Sequence, residues 1–215
     1  MPSHSFELYL SLGDSMSIDD YAGPGLGAAS LLYSNHDERH PEFRGRDLLH
    51  LSPACRMVPR ARNGLDSRGL LSTLQDLPEA SGPVLVTLTI GGNDLIGRLR
   101  PTGGENINTL RQRIELAISQ LAAAYHDLTL VMGNIYDPTD GTGQLPSGAR
   151  WFEPATHLLP EYNVALREIA VGCGAYLADI NAAFAGQKDR FYSFDIEPSV
   201  LGASAIRRCF WEALP

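Results

Sequence analysis

The sequence PVLVTLTIGGND, residues 83–94, contains the clearest indication of the fold. Residues 83–90 are apolar or β-branched almost throughout, which is typical of a parallel strand buried on both faces. A pair of glycines then allows a tight bend, so the polar residues Asn93 and Asp94 follow directly at the carboxyl end of the strand. Functional side chains of parallel sheets collect beyond these carboxyl ends, so we expect a site at this edge.

The segments on either side alternate between strand-like and helix-like patterns. Further strands are predicted at residues 6–12, 128–132 and 175–180, and amphipathic helices at residues 106–125, 158–171 and 199–214. Such alternation favours right-handed crossovers and a parallel sheet covered by helices on both faces. We therefore predict a three-layer α/β sandwich, flavodoxin-like in outline, formed as a single domain over residues 1–215. Residues 17–46 and 137–154 are predicted to be long irregular loops that wall a cleft.

Composition narrows the classes of function. The formal net charge of −8 at pH 7 argues against nucleic-acid binding, because phosphate neutralisation requires clustered lysine and arginine. No apolar run approaches the roughly 20 residues that span a bilayer, and residues 1–10 lack the basic and apolar regions of a signal peptide. We therefore predict no membrane span and a cytoplasmic location. Three widely spaced cysteines, without a CxxC or HExxH motif, give no sign of a disulfide framework or a zinc site.

A serine follows the first predicted strand, within the stretch Gly13-Asp14-Ser15. Where a strand turns towards a helix, a serine can present its hydroxyl near the helix N-terminus, whose backbone N–H groups favour developing negative charge. Asn93, at the end of the 83–90 strand, can aim its side-chain amide at the same oxyanion. The two strand ends together indicate a site that stabilises negative charge on oxygen.

These residues resemble the SGNH/GDSL hydrolase family, and the resemblance covers nearly the whole chain. YLSLGDSMSID, residues 9–19, is similar to the family's first block, and TIGGNDL, residues 89–95, is similar to its GxND block. The resemblance implies that Ser15 is the nucleophile and that Asn93 and the Ser15 backbone N–H are oxyanion donors. Gly64, in RARNGLDSRGLL, stands for the second-block glycine that supplies a further donor. The implied substrate is a small-molecule ester or another acylated compound, with no metal and no cofactor.

The last block departs from the family pattern, which is DxxH. Residues 194–199 read FDIEPS, so Glu197 takes the place of the histidine, and Asp195 stands one position after the place of the aspartate. Three interpretations stay open. In the preferred one, Glu197 is the general base and the nearby Asp195 helps to raise its pKa by like-charge repulsion. In the second, a loop histidine is the base, the candidates being His36, His40 and His157. In the third, serine chemistry has been lost and the retained cleft binds a ligand.

Overall fold

The computed structural model describes residues 5–99, 104–150 and 153–215, with the backbone alone for residues 153–156. In chain order the elements are β1 (Leu8–Gly13), α1 (Ala28–Tyr33), α2 (Leu48–Leu51), β2 (Arg56–Pro59), α3 (Ser67–Ser72), β3 (Val84–Thr89), α4 (Gly92–Arg98), α5 (Ile107–Ala124), β4 (Leu128–Gly133), α6 (Glu153–Cys173), β5 (Tyr176–Ala178), α7 (Ile180–Phe184), β6 (Tyr192–Ser193), β7 (Glu197–Pro198) and α8 (Val200–Ala213). One 3-10 turn, Pro41–Phe43, lies between α1 and α2.

Five parallel strands form the central sheet in the order β2-β1-β3-β4-β5. This is the strand order of flavodoxin-like folds, and the predicted α/β architecture is confirmed. Gly13 pairs with Thr89, and Thr89 pairs with Gly133, so β1, β3 and β4 end level with one another. The segments that follow these three strands therefore emerge side by side at one edge of the sheet.

Helices cover both faces of the sheet because alternate residues of the buried strands point to opposite sides. Leu8, Leu10 and Leu12 of β1 belong to the core that packs against α3, α4, α5 and α6. Tyr9 of β1 and Leu85 of β3 belong to the core that packs against α1, α2, α7 and α8. Among the described residues, no helix combines the length and the apolar character needed to cross a membrane.

Several elements differ from their predicted form. The region 17–46 was predicted to be irregular, yet it contains α1, whose alanines and leucines are buried against α8. The predicted loop 137–154 ends earlier than expected because α6 begins at Glu153. The segment 175–180 is a shorter strand than predicted, since the Asp179 side chain accepts a hydrogen bond from the N–H of Ala182 and starts α7. The strand β2 was not predicted, because it is a half-exposed edge strand that ends in proline.

The end of β1 is a point of unusually close backbone approach. Gly13 has a φ of +121°, and a Cβ atom placed there would lie 1.9 Å from the carbonyl oxygen of Thr89 on β3. Real Cβ atoms cannot approach an oxygen so closely, and L-residues with a side chain rarely adopt this backbone conformation. Glycine is therefore required at position 13 on two independent grounds.

We predict that Gly13→Ala lowers the free energy of unfolding by roughly 3 kcal/mol or more, because it adds a clash inside the sheet to an unfavourable φ. Gly25→Ala is the matched control: its φ is +73°, but nothing lies within 4 Å of the added carbon. The control should cost about 1 kcal/mol, from the backbone conformation alone. Urea unfolding of both variants measures the difference, and equal costs would show that the close approach is unimportant.

Candidate active site

Ser15 lies on a tight turn directly after β1 and is half-buried. The N–H of Asp14 donates to the carbonyl of Thr89 at 2.9 Å, which attaches the start of the turn to the end of β3. The N–H of Met16 donates to Asp14 Oδ1 at 3.1 Å, and the N–H of Ser17 donates to the Asp14 carbonyl at 3.2 Å. The described residues place no helix N-terminus directly after Ser15, since α1 begins only at Ala28. The backbone groups around Ser15 belong to the turn itself.

The turn forms one wall of a mainly apolar cavity at the carboxyl edge of the sheet. Its other walls come from α4, from the segment after β4, from α6 and from the β6–β7 hairpin. The described residues that line it are Asp14, Ser15, Met16, Gly92, Asn93, Leu95, Ile96, Ile135, Tyr136, Asp137, Pro138, Thr139, Leu159, Ile196 and Glu197. The structure thus brings the predicted nucleophile Ser15 together with Asn93 and Glu197, although their positions in the sequence are far apart.

Asn93 is held at the start of α4 by contacts to the loop after β2. Its side-chain Nδ2 donates to the carbonyl of Leu65 at 3.0 Å, and an amide nitrogen carries a second N–H that stays available for the cavity. Asp94 accepts hydrogen bonds from the backbone N–H and the hydroxyl of Ser67, at 2.9 Å and 2.5 Å. Both side chains therefore fasten α4 to the same stretch of chain, so the amide of Asn93 is preorganised rather than free to rotate.

Glu197 reaches the cavity from the short antiparallel hairpin of β6 and β7. The hydroxyl of Tyr136 donates to the carbonyl of Ile196 at 2.5 Å, which holds the hairpin against the segment after β4. Burial raises the pKa of the Glu197 carboxyl, and hydrogen bonding from the Ser15 side chain opposes that rise. The Oε2 atom is buried and has no hydrogen-bond partner among the described residues. The carboxyl therefore lies beside the serine with one acceptor atom unused.

Asp14 is a second carboxyl group in the cavity wall, and the sequence reading gave it no role. It is 2% exposed. Burial raises its pKa to about 7; hydrogen bonds from Met16 and Thr89 oppose the rise, and the charge of Glu197 adds to it. The available signal was its place immediately before Ser15, in a stretch otherwise composed of small and apolar residues.

Comparisons with known proteins identify the family and the fold of the chain. The model of the GDSL-like lipase/acylhydrolase family matches residues 11–205 of the chain. The chain belongs to this family. None of the curated proteins matches it in sequence. Ester hydrolysis in general is the activity that family membership supports.

Several solved structures of GDSL-type and related hydrolases share the fold. Axe2, an acetylxylan esterase from Geobacillus stearothermophilus, has a TM-score of 0.73 at 18% identity, with 100% of this chain and 96% of that chain covered. LAE5, an α/β hydrolase from the metagenome of Lake Arreo, has a TM-score of 0.71 at 17% identity, covering 100% and 98%. A lipolytic G-D-S-L protein from Veillonella parvula has a TM-score of 0.67 at 14% identity, covering 95% and 96%. At these identities the likeness shows a common fold.

Gly64 was predicted to be the glycine oxyanion donor, but the described cavity lining does not include it. It is exposed, with a φ of +72°, in the loop between β2 and α3. Its neighbour Leu65 holds Asn93 through a backbone carbonyl. The loop therefore adjoins the site, and the role of the Gly64 N–H as an oxyanion donor stays a prediction.

Asp195 was expected to raise the pKa of Glu197 by like-charge repulsion, but it is engaged with Ser147 and is not among the causes of that rise. Its carboxylate accepts hydrogen bonds from the backbone N–H and the hydroxyl of Ser147, at 2.7 Å and 2.8 Å. These two bonds hold the hairpin tip, where Phe194 and Asp195 have φ values of 47° and 69°. Asp195 thus orders the backbone ahead of Glu197, and Asp14 is the carboxyl whose pKa the charge of Glu197 raises.

The candidate histidines lie elsewhere in the described part of the chain, and none of them lines the cavity. His36 and His157 are exposed. His40 is buried, 3.7 Å from a carboxylate oxygen of Glu42. Burial, and after it the charge of Arg207, lowers the pKa of His40. The described site therefore offers carboxyl groups as its acid–base groups.

The raised pKa of Asp14 predicts a loss of stability with rising pH. Its proton is retained in the folded state while the unfolded chain releases it, so stability falls between about pH 4 and pH 7 and levels off above. The loss from this one group is on the order of 4 kcal/mol. Asp14→Asn, which mimics the neutral acid, should remove this component and be more stable than the wild type at pH 7.

Urea unfolding of both proteins from pH 4 to pH 8 measures the effect. Asp20→Asn, which removes one exposed carboxylate, controls for the change in net charge. A difference between wild type and Asp14→Asn that is constant over this range would show that Asp14 is ionised throughout.

Proposed function

We propose that the protein hydrolyses carboxylic esters by acyl transfer through Ser15, with Glu197 as the general base. The observation that carries the proposal is the meeting of the Ser15 side chain and the Glu197 carboxyl in one cavity. Membership of the GDSL-like lipase/acylhydrolase family supports the class of reaction. A carboxylate is ordinarily a weak base for a serine, since its reference pKa is about two units below that of histidine. Burial of Glu197 reduces this deficit.

The reaction proceeds in two halves. Glu197 accepts the hydroxyl proton of Ser15 while Oγ attacks the carbonyl carbon of the ester. The oxyanion of the tetrahedral intermediate accepts hydrogen bonds from the Ser15 N–H, the Asn93 amide and the Gly64 N–H. The intermediate collapses, the alcohol leaves with the proton from Glu197, and an acyl-enzyme is formed. In the second half, Glu197 takes a proton from water as the water oxygen attacks the acyl carbon, and it then gives this proton to Ser15 Oγ as the acid leaves.

The cavity next to Ser15 suits the apolar part of a small ester. Met16, Ile135 and Leu159 contribute apolar side chains to it. Axe2, one of the structures that share the fold, is named as an acetylxylan esterase. Acetylated sugars are therefore the first natural substrates to test, together with simple acyl esters.

Ligand binding without turnover is the second candidate function. This function is favoured by the absence of histidine from the described lining residues. A carboxylate would then have to act as the general base in place of the family's usual histidine. Such a protein would keep the cavity and bind an acylated compound. Turnover measurements on the wild type and on the variants below distinguish the two functions.

We predict that the wild type hydrolyses p-nitrophenyl acetate and that Ser15→Ala reduces the rate to background. Glu197→Gln should lower kcat by roughly 100- to 10,000-fold, the usual contribution of a general base. Because Glu197 must be ionised to accept a proton, the wild-type rate should rise with pH through its raised pKa. Glu212→Gln, at an exposed position of α8, is the matched control and should keep full activity.

Rates from pH 5 to pH 9 decide between the interpretations. Activity lost in Ser15→Ala but kept in Glu197→Gln would transfer the role of base to another residue, with the three histidines tested next. A wild type no faster than Ser15→Ala on both p-nitrophenyl acetate and acetylated sugars would overturn ester hydrolysis, and ligand binding would take its place.

Asn93→Ala should lower kcat about 100- to 1,000-fold with little change in KM, because its amide stabilises the transition state more than the bound ester. Asn108→Ala, at an exposed position of α5, removes the same group outside the site. Steady-state kinetics on p-nitrophenyl acetate give both constants. A change confined to KM would show that Asn93 binds substrate and is not an oxyanion donor.

A further inference from the structure

The described lining of the cavity around Ser15 contains carboxyl groups and no compensating positive charge. Asp14 and Glu197 both line it, and the described lining residues include no lysine, arginine or histidine. Asp14 is almost completely buried, and the Oε2 atom of Glu197 is buried without a partner. Two like charges that are shielded from water and close enough to influence each other cannot both ionise easily. Such a pair titrates in two steps that belong to the pair.

We propose that Asp14 and Glu197 work as a pair that holds one proton, with Asp14 neutral and Glu197 ionised in the active form. Asp14 is then a positioning residue that sets the charge of the site. The proposal rests on the proposed roles of Ser15 and Glu197. The step itself is balanced: the proton of Ser15 moves to Glu197 as Oγ bonds to the ester carbon, and the proton on Asp14 does not move.

Burial decides which carboxyl keeps the proton. Asp14 is enclosed by the sheet end and the turn, where the N–H of Met16 reaches only its Oδ1 atom. Glu197 is half-buried at the cavity, with the Ser15 hydroxyl to stabilise its charge. Removing a carboxylate from water disfavours its ionised form more strongly the deeper it lies. The neutral form therefore belongs to Asp14, and the basic form belongs to the group that faces the serine.

A neutral Asp14 suits the developing oxyanion. A Cβ built on Gly92 would lie 3.7 Å from Asp14 Oδ2, so this oxygen faces the start of α4, where Asn93 stands. Ionisation of Asp14 would place a second negative charge beside the donors that must bind the oxyanion. We therefore expect turnover to fall when Asp14 ionises.

Other titratable and polar groups also face the pair. Burial, and then the charges of Glu197 and Asp14, raise the pKa of Tyr136 well above its usual value, so the phenol remains neutral. The carboxylate of Asp137 accepts hydrogen bonds from Thr139 and from the N–H of Gly141, within its own loop. Thr89 and Ser17 contribute hydroxyls that bond each other at 2.9 Å. Asp14 and Glu197 are the carboxyl groups of this cavity wall whose pKa is raised by burial.

The first test is the pH dependence of p-nitrophenyl acetate hydrolysis, followed at the isosbestic wavelength, with Ser15→Ala as background. The rate of the wild type should rise with pH as Glu197 ionises. At higher pH the rate should fall again as Asp14 ionises; this decrease is the alkaline fall. Asp14→Asn keeps the acceptor for Met16 and mimics the neutral acid, so it should stay active and lose only the alkaline fall. An unchanged alkaline fall in Asp14→Asn, or an equal loss of rate at every pH, would overturn the proposal.

The second test measures the ionisation of Asp14 through protein stability, so it does not depend on enzyme activity. The unfolding free energies of wild type and Asp14→Asn, compared across pH, give the midpoint at which folded Asp14 ionises. The same comparison in the Glu197→Gln background should give a midpoint about one pH unit lower, because the repelling charge is gone. An unchanged midpoint would show that the groups do not share a proton, even in an active enzyme. If the wild type fails to hydrolyse esters, the comparison of the two midpoints still shows whether the ionisation of Asp14 depends on Glu197.

Discussion

The chain passes so close to the end of β3 at Gly13 that a Cβ atom there would lie 1.9 Å from the carbonyl oxygen of Thr89. That approach allows the N–H of Asp14 to bond the same oxygen at 2.9 Å. The turn that carries Ser15 is thereby fixed directly above the end of the neighbouring strand. Since α4 begins just beyond that strand, the same contact sets the distance between Ser15 and Asn93. Without this contact, Ser15, the proposed nucleophile, would not be held in a fixed position relative to Asn93, its proposed oxyanion donor.

The second constraint on the site is the position of the β6–β7 hairpin, which carries Glu197. Its tip requires two successive non-glycine residues with positive φ, Phe194 and Asp195, a conformation that persists only where the surroundings hold it. Ser147 stabilises this conformation through two hydrogen bonds to Asp195. The hydroxyl of Tyr136 donates a hydrogen bond to the carbonyl of the next residue, Ile196. The carboxyl at the place of the family's histidine is thus positioned by long-range contacts.

The environment gives the carboxyl groups of this site properties that their residue type alone would not provide. The cavity is mainly apolar, and its described lining carries no cation. Burial therefore raises the pKa of both Asp14 and Glu197. A base made from glutamate depends on this apolar enclosure, because in water a carboxylate is too weakly basic to compete with histidine. Opening the cavity to water would thus weaken the base as well as the electrostatic stabilisation of the oxyanion.

Local sequence patterns were enough to predict the α/β fold and the family. The buried run before Gly91 and the amphipathic period of α5 both reflect local patterning, so those elements lie close to their predicted limits. The sequence also named Ser15, Asn93 and Glu197 as site residues, and the fold places all three on one cavity. It missed β2, because a short half-exposed edge strand has little pattern to detect.

The carboxyl group that shares the cavity with Glu197 is Asp14 and not Asp195, and this could be learned only from tertiary contacts. Asp195 is the nearer of the two to Glu197 in sequence, yet it is engaged with Ser147. Asp14 is distant in sequence, yet its charge interacts with that of Glu197. Burial and like-charge repulsion depend on distances between residues of different elements, and those distances exist only once the sheet has brought the ends of its strands together.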